Sequence, residues 1–254
     1  MGGVYLGLPS DGGYLFVTND TFGAAEQEGA IVRINQLCGA LIVTARGSFL
    51  IRVREVLDKC LSVLNGPEEG ISIGLAQATV TAIEKEFQEK PHFRKNPLPF
   101  LLLLVGYRSK DPFSLEHIFI RNRVVDTLEK DGDKEYITRF DIQQPTHTTQ
   151  LFYGHSELTE YLLRQVTPNS ITSEMMKVLA YLALTETQKI DDSVFPRILM
   201  ATLSRDRGFD WVREEEIHRL SGLAERVDRM LTGKLSSYFT SFGMGCQINQ
   251  LAEK

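Results

Sequence analysis

The chain has 254 residues, 43% of them hydrophobic and 24% charged, with a formal net charge of −5 at pH 7. This is the balance of an ordinary folded protein, and folding at this length buries roughly 70–75% of the surface of the unfolded chain. The slight acidity argues against a nucleic-acid partner, and the longest apolar run, Leu98–Val105 with Pro99 inside it, is far shorter than the roughly 20 residues of a membrane helix.

The first predicted element is a hairpin. Val4, Tyr5, Leu6 and Leu8 form one apolar run and Tyr14–Val17 another, with turn-forming residues over Pro9–Gly13. Ala30–Ile34 and Ala40–Thr44 predict a second pair of strands. Ile51, Val53, Val56, Leu57, Cys60, Leu61 and Leu64 recur at helical spacing up to Asn65-Gly66-Pro67; Leu75, Ala76, Val80, Ile83 and Phe87 do the same before Pro91. Strands follow at Pro99–Tyr107, Glu116–Asn122, Lys134–Ile142 and Thr148–Gly154. The first is apolar on both faces, which predicts a central place in a sheet. Ser156–Gln165, with Ser156 as cap, and Thr172–Thr187 are predicted helices. Arg197–Val212 carries one or two strands, and Glu214–Leu231 is amphipathic through Ile217, Leu220, Leu223, Val227 and Met230. Strands and helices thus come in groups, which predicts an α+β fold rather than a parallel βαβ alternation. No linker composition or internal repeat interrupts the chain, so a single domain is expected over residues 1–235, followed by a tail over 236–254.

Chemical motifs are sparse. Cys38, Cys60 and Cys246 are far apart and odd in number, so no disulfide framework is expected, and Cys38 and Cys60 sit in apolar patterns as small core residues. His92, His117, His147, His155 and His218 lack metal-ligand spacing, and no GxxxxGK[ST] or GxGxxG is present. Neither a metal nor a cofactor is therefore expected. His155 beside Gly154 reads as a surface or capping histidine, and Asp191-Asp192 as solvated loop acids. The acids of "REEEIHR" suit the start of a helix. The sequence does not open on a basic segment followed by an apolar one, which predicts a cytoplasmic location.

The stretches "GVYLGLPSDGGYLFVTND" and "GAIVRINQLCGALIVTARGS" resemble the first four strands of proteasome-like subunits, the N-terminal nucleophile hydrolases that include proteasome β subunits and Anbu-type bacterial relatives. "PFLLLLVGYRSKDPFSLEHIF" resembles the next hairpin of that family, "QLFYGHSELTEYLL" its strand-to-helix entry, and "SVFPRILMATLSRDRGFDWVREEEI" its closing strands. The resemblance spans roughly residues 3–230 and rests on element order. It implies a four-layer αββα sandwich, two stacked antiparallel sheets with helices outside, and a homo-oligomer built as a ring or stacked rings.

It also implies an active site to look for. Active members begin on Thr, Ser or Cys, whose side chain attacks a carbonyl while the α-amine serves as base. The first eight residues here hold none of these. Asp20 matches the family's orienting aspartate, although an aspartate there also shapes a turn. The family's lysine would fall within Gly29–Val32, which has no cation, and the nearby Arg33 cannot act as a base. Gly47 is a candidate oxyanion backbone, with Ala45 an equal alternative, and Asp191 and Ser193 match two further family positions without the glycines that follow them. The leading expectation is therefore a non-catalytic subunit that acts as a self-assembling scaffold or interaction protein, with a peptide or protein as ligand. One alternative is an amide hydrolase exposed by processing at Ser10 or Thr18, or using Ser48. The other is an unrelated α+β binding module.

Overall fold

The computed structural model describes residues 4–19, 30–44, 47–64, 71, 73–89, 94–95, 99–108, 111–130, 133–146, 150–154, 157–164, 171–190 and 197–241. Ten strands are β1 Val4–Ser10, β2 Gly13–Thr18, β3 Ile31–Asn35, β4 Cys38–Thr44, β5 Phe100–Arg108, β6 Asp111–Lys130, β7 Asp133–Gln143, β8 Leu151–Gly154, β9 Leu199–Ser204 and β10 Gly208–Trp211. Among the described residues the named helices are α1 Gly47–Leu64, α2 Ile73–Glu89, α3 Glu157–Arg164, α4 Ser173–Ile190 and α5 Glu214–Ser241. The fold is α+β, as the grouping of elements predicts.

The strands form two antiparallel five-stranded sheets, ordered β10-β9-β2-β1-β8 and β3-β4-β5-β6-β7. Every residue of β1 is buried. Because side chains alternate across a strand, its two faces enter different cores. Val4, Leu6 and Leu8 join Leu15, Val17 and Met200 beneath Met176 and Leu184 of α4 and Leu220 of α5. Tyr5, with Tyr14 and Phe16 of β2, instead meets Leu41, Leu103 and Val105 of the other sheet. That second sheet buries Ile42, Leu102 and Leu104 against Val53 and Leu57 of α1 and Leu75 and Ile83 of α2. β5 is central in its sheet, as its apolar faces foretold. Each fully buried Leu, Ile or Phe in these cores contributes roughly 1.5–3 kcal/mol.

The two ends of the sheets are tied differently. At the β1–β2 turn Gly12 takes φ +70°, a conformation that side chains resist, and its carbonyl accepts from the Tyr107 hydroxyl at 2.9 Å. The Asp11 N–H donates to Ile171 O at 2.9 Å. Phe209 N–H donates to Gln36 O at 2.8 Å, so the β3–β4 turn and the start of β10 lie at this same end. The opposite end carries Val4, Gly154 and Phe100.

Three elements run longer than the sequence pattern predicts. β6 covers Asp111–Lys130 rather than Glu116–Asn122, because a register shift between Val124 and Asp126 absorbs one residue and the ladder with β7 resumes as far as Lys130 opposite Asp133. α1 begins at Gly47, ahead of the first periodic residue Ile51. α5 continues to Ser241, so residues 236–241, expected in the tail, extend the helix; its two interior glycines, Gly222 and Gly233, cost only about 1 kcal/mol each. No helix among the described residues is long and apolar enough to cross a membrane.

Candidate functional site at the amino end of the first strand

Two reciprocal hydrogen bonds close the amino end of β1. The Val4 N–H donates to Asn19 Oδ1 at 2.5 Å, and the Asn19 N–H donates to Val4 O at 3.3 Å. Val4, Thr18 and Asn19 are all fully buried. An asparagine directly after β2 thus serves as both donor and acceptor to the strand beside it, and fixes where β1 begins. Neither side of this clamp is a nucleophile.

Beside the clamp lies a cleft. Tyr153 of β8 pairs with Tyr5, their rings meeting edge-on at 6.4 Å between centroids. Tyr153 also lines a cavity of about 340 Å³ with Phe100, Leu101, Phe119, Arg121 and Leu151, drawn from β5, β6 and β8. The Phe100 N–H donates to Asn122 Oδ1 at 2.9 Å, which holds the start of β5 against β6. The cleft is mainly apolar, and among the described residues that line it the Arg121 guanidinium is the single charge.

The residues expected at an active site are not brought together among the described residues. Asp20, Asp191, Ser193, Ala45 and His155 lie outside them. Gly47 opens α1, so its N–H belongs to a first helical turn, which has no intrahelical acceptor. Ser48 lies in that same turn. The stretch where the family's lysine is expected supplies Ala30, Ile31 and Val32, all buried and apolar. Arg33 is exposed and donates to Gln36 Oε1 at 2.5 Å, while Gln36 Nε2 donates to Arg207 O at 2.6 Å. It is thereby committed to the β3–β4 turn, at the far end from Val4. Ser10 is buried at 8% exposure within the hairpin, and Thr18 pairs with Tyr5. Cleavage before either hydroxyl would remove Val4, Leu6 and Leu8, each fully buried and each contributing roughly 1.5–3 kcal/mol.

Two buried titratable groups sit between the sheets. The Tyr14 and His117 rings meet edge-on at 4.8 Å, with exposures of 1% and 2%. Burial lowers His117 to about 4 and raises the Tyr14 hydroxyl well above its ordinary value, so both are neutral at pH 7. The pair has no access to substrate and packs the core. Burial also pushes the Cys38 thiol up to about 12, which makes it an inert core thiol. Cys60 is half-buried and packs against the α1–α2 core.

A second cleft between α4, α5 and β9–β10 holds a different chemistry. Lys177, 5% exposed, donates to Glu174 Oε1 at 2.6 Å and to Glu216, and Arg219 meets Glu174 at 3.4 Å. Alternating charges satisfy one another there and bind α4 to α5. Among the described residues no group of three His, Cys, Asp or Glu side chains is placed to hold a metal.

The Asn19 clamp escaped sequence reasoning because the neighbouring Asp20 carried the family signal, and because an asparagine after a strand also reads as a turn residue. No protein-family model matches this chain, and no curated protein is significantly similar to it.

Proposed function

We propose that this chain is a proteasome-like subunit without its own nucleophile, which acts as a self-assembling scaffold or interaction protein. The carrying observation is the closed start of β1. The Val4 N–H is committed to the buried Asn19 side chain, and no Thr, Ser or Cys occurs over residues 1–8 to use that position. Two sheets sharing one core, each with helices packed on its other face, support the αββα sandwich of that family as the finer description of the fold. The apolar cleft beside Tyr153 is where a peptide or protein ligand would be held, and β8 at the sheet edge offers it backbone groups.

Native mass spectrometry of the purified full-length protein at concentrations up to roughly 200 µM, followed by denaturation of the same sample, tests this reading. A closed oligomer of unprocessed chains is expected. A chain shortened to begin at Ser10 or Thr18 would overturn it in favour of the hydrolase, and an unprocessed monomer would remove the scaffold.

A further inference from the structure

Four strands form the edges of the two sheets, and they are unequal: β8 and β10 have 4 residues each, β3 has 5 and β7 has 11. A long edge is a template for pairing unless something covers it. The distal half of β7 is less supported than the rest of its sheet. β5 accompanies β6 only as far as Arg121, so beyond it β6 and β7 continue as a two-stranded ribbon. Such a ribbon is marginal in water by itself. It nonetheless exposes Val124, Val125, Leu128 and Ile137, 4 of the 9 large apolar side chains exposed among the described residues.

The backbone of β7 shows which groups face outward. The Phe140 N–H donates to Glu84 Oε1 at 3.3 Å, and so points away from β6. In an antiparallel strand this orientation alternates, which turns the N–H and C=O of Thr138 and Tyr136 outward as well. A second β7 can therefore pair antiparallel only in registers that set these even-numbered residues opposite one another. Side chains then select among those registers. With Ile137 on a two-fold axis, Tyr136 faces Thr138, Ile137 faces itself, and Glu135 faces Arg139 on both sides. Moving the axis to Thr138 would set Tyr136 against Phe140, whose outward N–H is already taken by Glu84, and would set Ile137 against Arg139 in place of the Glu135–Arg139 pair. Moving it to Tyr136 would set Ile137 against Glu135.

We propose that the outer edge of β7 pairs with β7 of a second copy of this chain, with Ile137 on the two-fold axis and Glu135 opposite Arg139 of the other copy. The two sheets join into one of ten strands. Leu128, diagonal to Ile137 across the ribbon, extends an apolar stripe over the joint on one face. Glu84 occupies the edge at Phe140 and limits the pairing to the ribbon. Glu135, which meets Arg94 at 3.6 Å within its own chain, remains a carboxylate with acceptor capacity for a second guanidinium. This inference rests on the self-association proposed above and gives it a surface.

The interface is short, at the low end of specific interface sizes, so half-dissociation is expected at roughly 10–100 µM. The test is native mass spectrometry and light scattering over that range, on the full chain and on Ile137→Lys, Glu135→Arg, Arg139→Glu and the double reversal. Circular dichroism of each variant controls for folding. Ile137→Lys and each single reversal are expected to weaken the dimer about tenfold or more, while the double reversal restores it to within about threefold. An oligomer that all these changes leave intact would overturn the β7 edge and leave the scaffold reading standing. A wild-type chain that stays monomeric throughout would overturn both. A dimer that Ile137→Lys weakens but the double reversal does not restore would overturn the register.

Discussion

Replacing His117 by Phe isolates the linkage between the inter-sheet core and pH. His117 is 2% exposed and packs edge-on against Tyr14, a contact that a phenyl ring can reproduce. Folding lowers its pKa from 6.5 to about 4 through burial. Above about pH 6.5 the imidazole is neutral in both states, and stability is at its full value. As pH falls below that, the unfolded chain takes up the proton first, so stability declines until about pH 4, where the folded chain binds it as well. The gap between the two values is worth roughly 3 kcal/mol over that window. Urea unfolding of both proteins at about pH 7, about pH 5.5 and about pH 4 gives the comparison. Carboxylates titrating in the same window act on both proteins and cancel in the difference. The stability of the wild type relative to His117→Phe should fall by up to roughly 3 kcal/mol between the first and last of these. A difference that stays constant with pH would refute a neutral, buried His117.

Gly7 is the second place where the inter-sheet core is exacting. A Cβ there would lie 2.4 Å from the Tyr14 hydroxyl oxygen and 3.0 Å from Leu103 Cδ2, so Gly7→Ala should cost roughly 1–3 kcal/mol in urea unfolding. Tyr14→Phe in the same chain should recover part of that loss, and strict additivity of the two changes would count against the proposed collision. Asn19→Ala leaves the buried Val4 N–H without its acceptor and should destabilise by roughly 1–3 kcal/mol. Hydrogen exchange at the start of β1 should accelerate in that variant, and unchanged exchange would show that the clamp does not hold the strand.

Much of the fold was legible because its signals are local. The apolar runs on both sides of Pro9–Gly13 gave the first hairpin, and the unbroken apolar stretch of β5 gave its central position. The far half of β6 was hidden because Val124-Val125 breaks the alternation where the ladder shifts register, and the acids and glycine after it resemble a loop. That β8 lies beside β1, about 150 residues away in sequence, is a long-range pairing that no local pattern carries. The candidate site was harder still. Absences at the start of the chain could be read directly, but the Asn19 clamp depends on a side chain turned toward a neighbouring strand. The assembly edge likewise follows from which amides of β7 point outward.

The central claim, that the start of β1 carries no catalytic nucleophile, is tested most directly with an electrophile that acylates one. The purified full-length protein is incubated with a peptidyl β-lactone, and its intact mass is read afterwards. The account predicts an unchanged mass. A stoichiometric adduct that peptide mapping places on a hydroxyl within residues 1–19 would contradict it and make this chain an enzyme.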